Sequence, residues 1–269
     1  MNPKIAVIGG GVIGNTTAWH LARLGHQINH FDPKFDQKEN KSGFLSGSRA
    51  SLGVLMGNIY SKSSGRSWRL RKRSMELWPI WISLLKKYDN ELIINQPFIK
   101  VAKSENEALL MKKIIDRKKN YLLEFISKEE TKRITEGLEI KCFGAILSEK
   151  DGWIDPKKLQ DSITIAKREE GIVSINKKVV SIERQLSQGK KKWQVVLENK
   201  DIVTADILII CAAMKTNELL KNLGYVIPLE AILGQALTIE VDTSNVVNLP
   251  SIINYNNFNL ISTKKGELT

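Results

Sequence analysis

The chain opens on an unbroken apolar run, Ile5-Ala6-Val7-Ile8, cut off by three glycines, which is how a strand buried on both faces of a parallel sheet reads. The pattern then becomes helical. Ala18, Leu21 and Ala22 recur at i, i+3 and i+4, and Gly25 stands where a helix-ending glycine belongs. A second strand over 27–31 ends in Asp32. Residues 4–32 therefore predict a strand–helix–strand unit.

Residues 33–48 are polar and rich in Lys, Asp, Gly and Ser, a loop composition. A helix is predicted over 68–88, where Trp78, Trp81, Ile82 and Leu85 share one face and Pro79 is placed to kink it. A strand over 98–101 and a helix over 105–119 follow. In 151–176 Asp155 can cap a helix that starts at Pro156, buries Leu159, Ile163 and Ala166, and stops at Gly171. A strand over 172–175 leads to an antiparallel meander of 179–184, 193–198 and 201–204, with a turn at 187–190, and then to an apolar strand at 207–211. The whole predicts an α/β fold without internal repeats.

Composition narrows the class. A chain of 269 residues, 42% hydrophobic and 26% charged, is globular and long enough for one large domain or two interleaved ones. Its two cysteines, Cys142 and Cys211, lie far apart, which excludes a disulfide framework or a zinc ribbon and makes a cytoplasmic location the expectation. Cys211, within an apolar strand, is expected to be buried and inert. No apolar run reaches the roughly 18 residues of a membrane span, and the N-terminus enters a strand without signal-peptide architecture. The net charge of +12 is spread out. The pairs Lys112-Lys113, Lys118-Lys119 and Lys264-Lys265 and the run Lys190 to Lys192 are expected on solvated surfaces. The dense cluster is Arg66, Arg69, Arg71, Lys72 and Arg73, whose helical spacing puts Arg69, Lys72 and Arg73 on one side, away from the tryptophans; no specific nucleic-acid site is expected there. His20, His26 and His30 are too scattered for a common metal site and are assigned surface or packing roles. The paired acids Glu129-Glu130 and Glu169-Glu170 belong on helix surfaces.

The chemistry is concentrated in Gly9-Gly10-Gly11-Val12-Ile13-Gly14, a G-x-G-x-x-G that follows a strand and opens a helix, with Asp32 ending the next strand. Gly9 permits the tight turn, Gly11 lets the backbone approach a pyrophosphate, Gly14 lets helix and strand pack, and the helix N-terminus supplies unpaired N–H groups. Asp32 can accept hydrogen bonds from an adenosine ribose and disfavours a 2′-phosphate, so NADP is disfavoured while FAD and NAD stay open on the motif itself.

Five segments together resemble the FAD-dependent amine and amino-acid oxidoreductases of the D-amino-acid oxidase and glycine oxidase (DAO) type. Residues 7–14 are similar to the family's dinucleotide fingerprint, and Ser48-Arg49-Ala50-Ser51-Leu52-Gly53-Val54-Leu55 resembles its small-residue loop beside the flavin and pyrophosphate. Asp151-Gly152-Trp153-Ile154-Asp155-Pro156 is similar to its DGxxDP segment, followed by a valine main chain, here Val179-Val180, that contacts adenine. Ala205 to Ala213 resembles the strand that returns beneath the adenine, and 228–235 the start of a substrate-domain strand. The resemblance implies a Rossmann-type FAD-binding domain, 1–80 with 145–217, interleaved with an α+β substrate domain, 81–144 with 218–269. It implies FAD as cofactor, held by Gly9, Gly11, Val12, Ile13, Gly14, Asp32, Ser48, Arg49, Ala50, Ser51, Val179, Val180 and Ala212, and oxidation of the C–N bond of a small-molecule amino acid or amine. No catalytic side chain and no metal ligand is assigned. The sequence departs from the pattern at Ala213, where the family has glycine, and at Leu260, where glycine-oxidase-like members place a pocket tyrosine. Family chains also run about 100 residues further, most of a second core. A weak or inactive dinucleotide-binding relative is therefore an alternative expectation, with an oligomer or partner chain covering the shorter substrate domain; a flavin domain associated with RNA modification is a second alternative, supported only by the Arg66 to Arg73 cluster.

Overall fold

The computed structural model describes residues 2–35, 47–136, 138–187, 190–240, 249–262 and 267–269. Along the chain run β1 (Lys4–Ile8), α1 (Val12–Arg23), β2 (Gln27–Phe31), β3 (Val54–Leu55), α2 (Gly65–Leu85), β4 (Phe98–Val101), α3 (Glu105–Arg117), β5 (Leu123–Ile126), α4 (Lys128–Ile134), β6 (Ala145–Ser148), β7 (Gly152–Trp153) and α5 (Pro156–Glu169). There follow β8 (Val173–Ile175), β9 (Val179–Ser187), β10 (Lys190–Leu197), β11 (Ile202–Ala205), β12 (Ile207–Ile210), α6 (Thr216–Leu220), β13 (Ile239–Glu240), β14 (Ile252–Tyr255), β15 (Phe258–Ile261) and β16 (Glu267–Leu268). They form two compact units, residues 1–50 with 157–234 and residues 51–156 with 235–269.

In the first unit β12, β1, β2 and β8 lie side by side as a parallel sheet. Successive side chains of a strand face opposite ways, so Ala6 and Ile8 join Phe31, Val179, Ile182 and Val195 in one core, and Ile5 and Val7 join Ala18, Ile28 and Ile172 in another. Covering on both faces is why β1 reads as continuously apolar rather than alternating. The meander β11, β10, β9 is antiparallel, as its pattern predicts. The central part of the expected loop at 33–48, and residues 188 and 189 of the expected turn, lie outside the described residues.

In the second unit a five-stranded sheet runs β15, β14, β4, β6, β5, with β14 parallel to β4 and the other pairs antiparallel. Phe98, Ile146, Ile252 and Ile261 pack on one face with Ala108 and Met111 of α3, while Ile99, Val101, Ala145 and Ile253 pack on the other with Cys142 and Ile126.

The two units divide the chain at positions other than the expected domain boundaries. Residues 51–80 and 145–156 belong to the second unit, because β3 pairs with β7 and because Asp151 gathers the backbone N–H groups of Gly57, Asn58 and Ile59. Residues 218–234 stay with the first, because Leu219 is buried against Ile182 and Val195. The stretch 228–235, expected to open a strand, is irregular and exposed, and the next strand begins at Ile239. Among the described residues no helix is long and apolar enough to cross a membrane.

Candidate functional site

The turn between β1 and α1 is built around contacts that leave no room for side chains. Gly9 has φ +113°, donates its N–H to the Phe31 carbonyl at 2.8 Å, and would put a Cβ 2.3 Å from the Cys211 carbonyl oxygen. A Cβ on Gly14 would lie 1.8 Å from the Gly9 oxygen. Gly10, a free position in the motif, is restricted too, since a Cβ there would sit 2.7 Å from the Phe35 ring and 2.9 Å from Asp32. Gly11 differs. It is the extended N-cap of α1 without a side-chain cap, and a Cβ on it would meet Ser48 Oγ at 3.1 Å and no other described atom within 4 Å. Ser48 Oγ accepts the Val12 N–H at 2.9 Å. The half-buried Asp32 accepts from Gly10 N–H at 2.6 Å and from Lys34 N–H at 2.8 Å.

The same turn rests on a polar cluster that the sequence reading missed. Lys167 of α5 is 1% exposed and His30 of β2 is fully buried. The Lys167 ammonium donates to Asn15 Oδ1 at 2.6 Å and to His30 Nδ1 at 3.2 Å. His30 Nε2 donates to the Gly9 carbonyl at 2.8 Å, and Asn15 Nδ2 to the Gly10 carbonyl and to Gln160 Oε1, each at 2.7 Å. Burial, reinforced by the Lys167 charge, holds His30 down at about 3 against the opposing pull of its bond to Gly9, so the ring is neutral. Burial likewise lowers Lys167 to about 8, opposed by the attraction of Asp32. His30 thus has a specific partner set where a plain packing role was expected.

The other expected site residues differ in exposure and in partners. Ala212 follows β12, and its N lies 3.2 Å from where a Gly9 Cβ would be. Its neighbour Ala213 has φ +48°, left-handed backbone at the position that the family resemblance fills with glycine. Ile13 is exposed and Val12 half-buried. Val179 is buried in the core, while Val180, one step along β9, is exposed. Arg49 pairs with Asp161 of α5 at 3.0 Å, and Ala50 beside it is exposed. Ser51 is an exposed residue of the second unit. Cys211 is only half-buried, yet burial still pushes its thiol up.

Two expectations about charge need correction within the second unit. Lys118, expected on a solvated surface, is 2% exposed. Its ammonium donates to the Asn58 carbonyl at 2.8 Å and the Tyr60 carbonyl at 2.5 Å and lies 3.9 Å from the centre of the Trp68 ring. Burial lowers it to about 8 against the attraction of Asp151. Arg71 does not join the solvated cluster on α2: it stacks over Tyr60 at 4.1 Å and donates to the Met56 carbonyl.

Residues 4–269 match the family of FAD dependent oxidoreductases denoted DAO. A D-amino acid dehydrogenase of Dechloromonas aromatica is 39% identical over 49 residues, which are 18% of this chain and 12% of that relative. The fold is similar to that of glycine oxidase from Geobacillus kaustophilus, with a TM-score of 0.76 at 18% identity over 99% of this chain and 70% of that one. It is also similar to L-proline dehydrogenase from P. horikoshii, with a TM-score of 0.75 at 19% identity over 99% of this chain and 68% of the other.

Proposed function

Since the chain belongs to the DAO family of FAD-dependent oxidoreductases, we propose that residues 9–14 hold the pyrophosphate of FAD, that Asp32 holds its adenosine ribose, and that the protein oxidises the C–N bond of a small amino acid or amine. The observation that carries the cofactor assignment is the contrast within the glycine loop. Gly9, Gly10 and Gly14 are glycines because neighbouring atoms crowd them, whereas Gly11 faces Ser48 Oγ and is otherwise open among the described residues. A glycine kept where the described residues leave the space open fits close approach of a ligand to the backbone. Asp32 is engaged by two N–H groups but stays half-exposed, and an ionised carboxylate has about four acceptor positions, so it retains capacity for ribose hydroxyls. α1 brings the positive end of its dipole to the anion, with Ser48 Oγ taking the Val12 N–H.

Bound FAD supplies the two-electron acceptor, and the protein binds, orients and shields. The substrate class rests on the family and on the named activities of the relatives. Alongside the loop, Ser48, Arg49, Ala50, Val179, Val180 and Ala212 are proposed to border the cofactor. A flavin titration of the purified protein followed by its visible spectrum, with ADP calorimetry on wild type and Gly11→Val, tests the cofactor half. Equal ADP affinity in the two proteins sinks the loop assignment. Dye reduction and peroxide release with glycine, sarcosine, proline and a panel of D-amino acids test the substrate half, and a flavin-loaded protein that turns over none of them sinks the C–N assignment while leaving the cofactor site standing.

A further inference from the structure

The polar cluster under the glycine loop has a direction. An ammonium has three protons and no lone pair, so every atom facing Lys167 Nζ must accept. Asn15 meets it with Oδ1 at 2.6 Å and is thereby obliged to turn Nδ2 toward the Gly10 carbonyl and Gln160 Oε1. His30 meets it with the Nδ1 lone pair and so keeps its proton on Nε2, which donates to the Gly9 carbonyl. The Phe35 ring lies 4.3 Å from Nζ and edge-on to His30 at 4.8 Å. Reversing the Asn15 amide or the His30 tautomer would set lone pair against lone pair at Gly10 or Gly9.

We propose that Lys167 is a positioning residue for dinucleotide binding, whose donor-only head group fixes the His30 tautomer and the Asn15 amide and so keeps the Gly9 and Gly10 carbonyls turned into the protein. This rests on the reading of residues 9–14 as the dinucleotide site. An inward carbonyl matters because a carbonyl oxygen swung toward a pyrophosphate would repel it, and a loop with two unanchored glycines is free to swing. Among the described residues the charge also has a sparse setting. From β2 it faces neutral His30 and, just beyond the strand, Asp32, which attracts it. From its own helix Arg168 repels it, and from α1 it meets the uncharged Asn15. With Lys167 lowered to about 8 by burial, raising the pH gives Nζ a lone pair and removes the constraint.

The test uses ADP as probe and the full chain. In wild type, long-range ¹H–¹⁵N spectra should show His30 as the Nε2–H tautomer at pH 7, and ADP affinity should fall about tenfold between pH 7 and pH 10, the effect of roughly one unit of proton linkage. In Lys167→Met the tautomer should become mixed, with affinity already low at pH 7 and flat with pH. Because that variant strands the His30 Nδ1 lone pair and can lose stability for that reason, the companion is Lys167→Met with His30→Leu, an apolar pair that removes the stranded atom. The pair should regain stability and still bind ADP about tenfold more weakly than wild type, because the Gly9 carbonyl has lost its donor. Recovery of wild-type affinity by the pair, or an unchanged tautomer and affinity in Lys167→Met, overturns the inference and leaves the dinucleotide reading intact. A wild type that does not bind ADP at all overturns both.

Discussion

Asp32 in the first unit and Asp151 in the second do the same thing at first sight, since each is a carboxylate that collects backbone N–H groups at a glycine-bearing turn. The difference lies in how much capacity remains. Asp151 is fully buried and accepts four hydrogen bonds, from Gly57, Asn58 and Ile59 N–H and from Asn58 Nδ2. Asp32 accepts two from the described residues and is half-exposed. Each also lies within the field of a buried lysine, Lys118 for Asp151 and Lys167 for Asp32. Lys118 uses its protons to tie down carbonyls in the same 57–60 segment, whereas Lys167 spends its own on two side chains that in turn hold the glycine loop. A saturated carboxylate finishes a structure. An unsaturated one leaves room for something to bind.

The sharpest way to break this contrast is Asp151→Ala. Three backbone N–H groups would lose their acceptor inside the protein, and the expected cost is about 4 kcal/mol in urea unfolding, with ADP affinity of the folded fraction unchanged. A loss under about 1 kcal/mol would show that Asp151 is not saturated in the way described. Next in size is Asp32→Ala, for which ADP calorimetry should register roughly a hundredfold weakening, about 3 kcal/mol, from the lost ribose hydrogen bonds. Its unfolding should shift by only about 1 kcal/mol. If the two aspartates trade these signatures, the comparison is inverted.

Lys167 offers a pH test. Its folded value, about 8, lies below the ordinary 10.5, so between those pH values the unfolded chain binds more protons and stability should rise with pH, the penalty being fully present below about 8. The expected gain is about 2 kcal/mol. Urea midpoints between pH 7.5 and 10.5 should rise in wild type, and Lys167→Met should lose its share of that slope while keeping the share that Lys118, also lowered to about 8, contributes. The smallest effect is reserved for Ala213, whose left-handed φ costs an alanine about 1 kcal/mol. After the unfolded-state entropy that glycine adds, Ala213→Gly should still stabilise by about 0.5 kcal/mol, and a melting temperature that falls would remove the claim of strain at that position.

What the sequence made legible follows the same divide. β1, α1, β2 and the start of α5 are written in local patterns: a two-sided apolar run, an i, i+3, i+4 stripe, and Asp155-Pro156 before a helix. β5, β6, β14 and β15 are only four residues each, too short for alternation to stand out, and their pairing is decided by partners far along the chain. The polar cluster did leave a trace. Lys167 stands four residues after Ile163 and eight after Leu159, on the stripe that α5 buries, and Asn15 stands three before Ala18 on the stripe of α1. A polar residue on a buried stripe must find partners. That two such helices meet at His30, however, is a property of the sheet order. Lys118 left no trace at all, because the carbonyls it binds lie at Asn58 and Tyr60, and no local period links them to it.

The strand order also sets a timetable for synthesis. Ile5 of β1 pairs with Ile28 on one side and with Ile207 on the other, and in the second unit Phe98 of β4 pairs with Ser148 on one side and Ile252 on the other. As the chain leaves the ribosome, β1 and β2 find each other early, yet the far edge of β1 stays open until residues 207–210 have been made, with the segment 51–156 emerging in between. The β1–β2 pair is thus an unfinished template until residues 207–210 emerge, and non-local closure of this kind is slow. A nascent chain halted between residues 156 and 207 would carry an apolar strand with a bare edge, the species for which trapping by another copy competes most directly with folding.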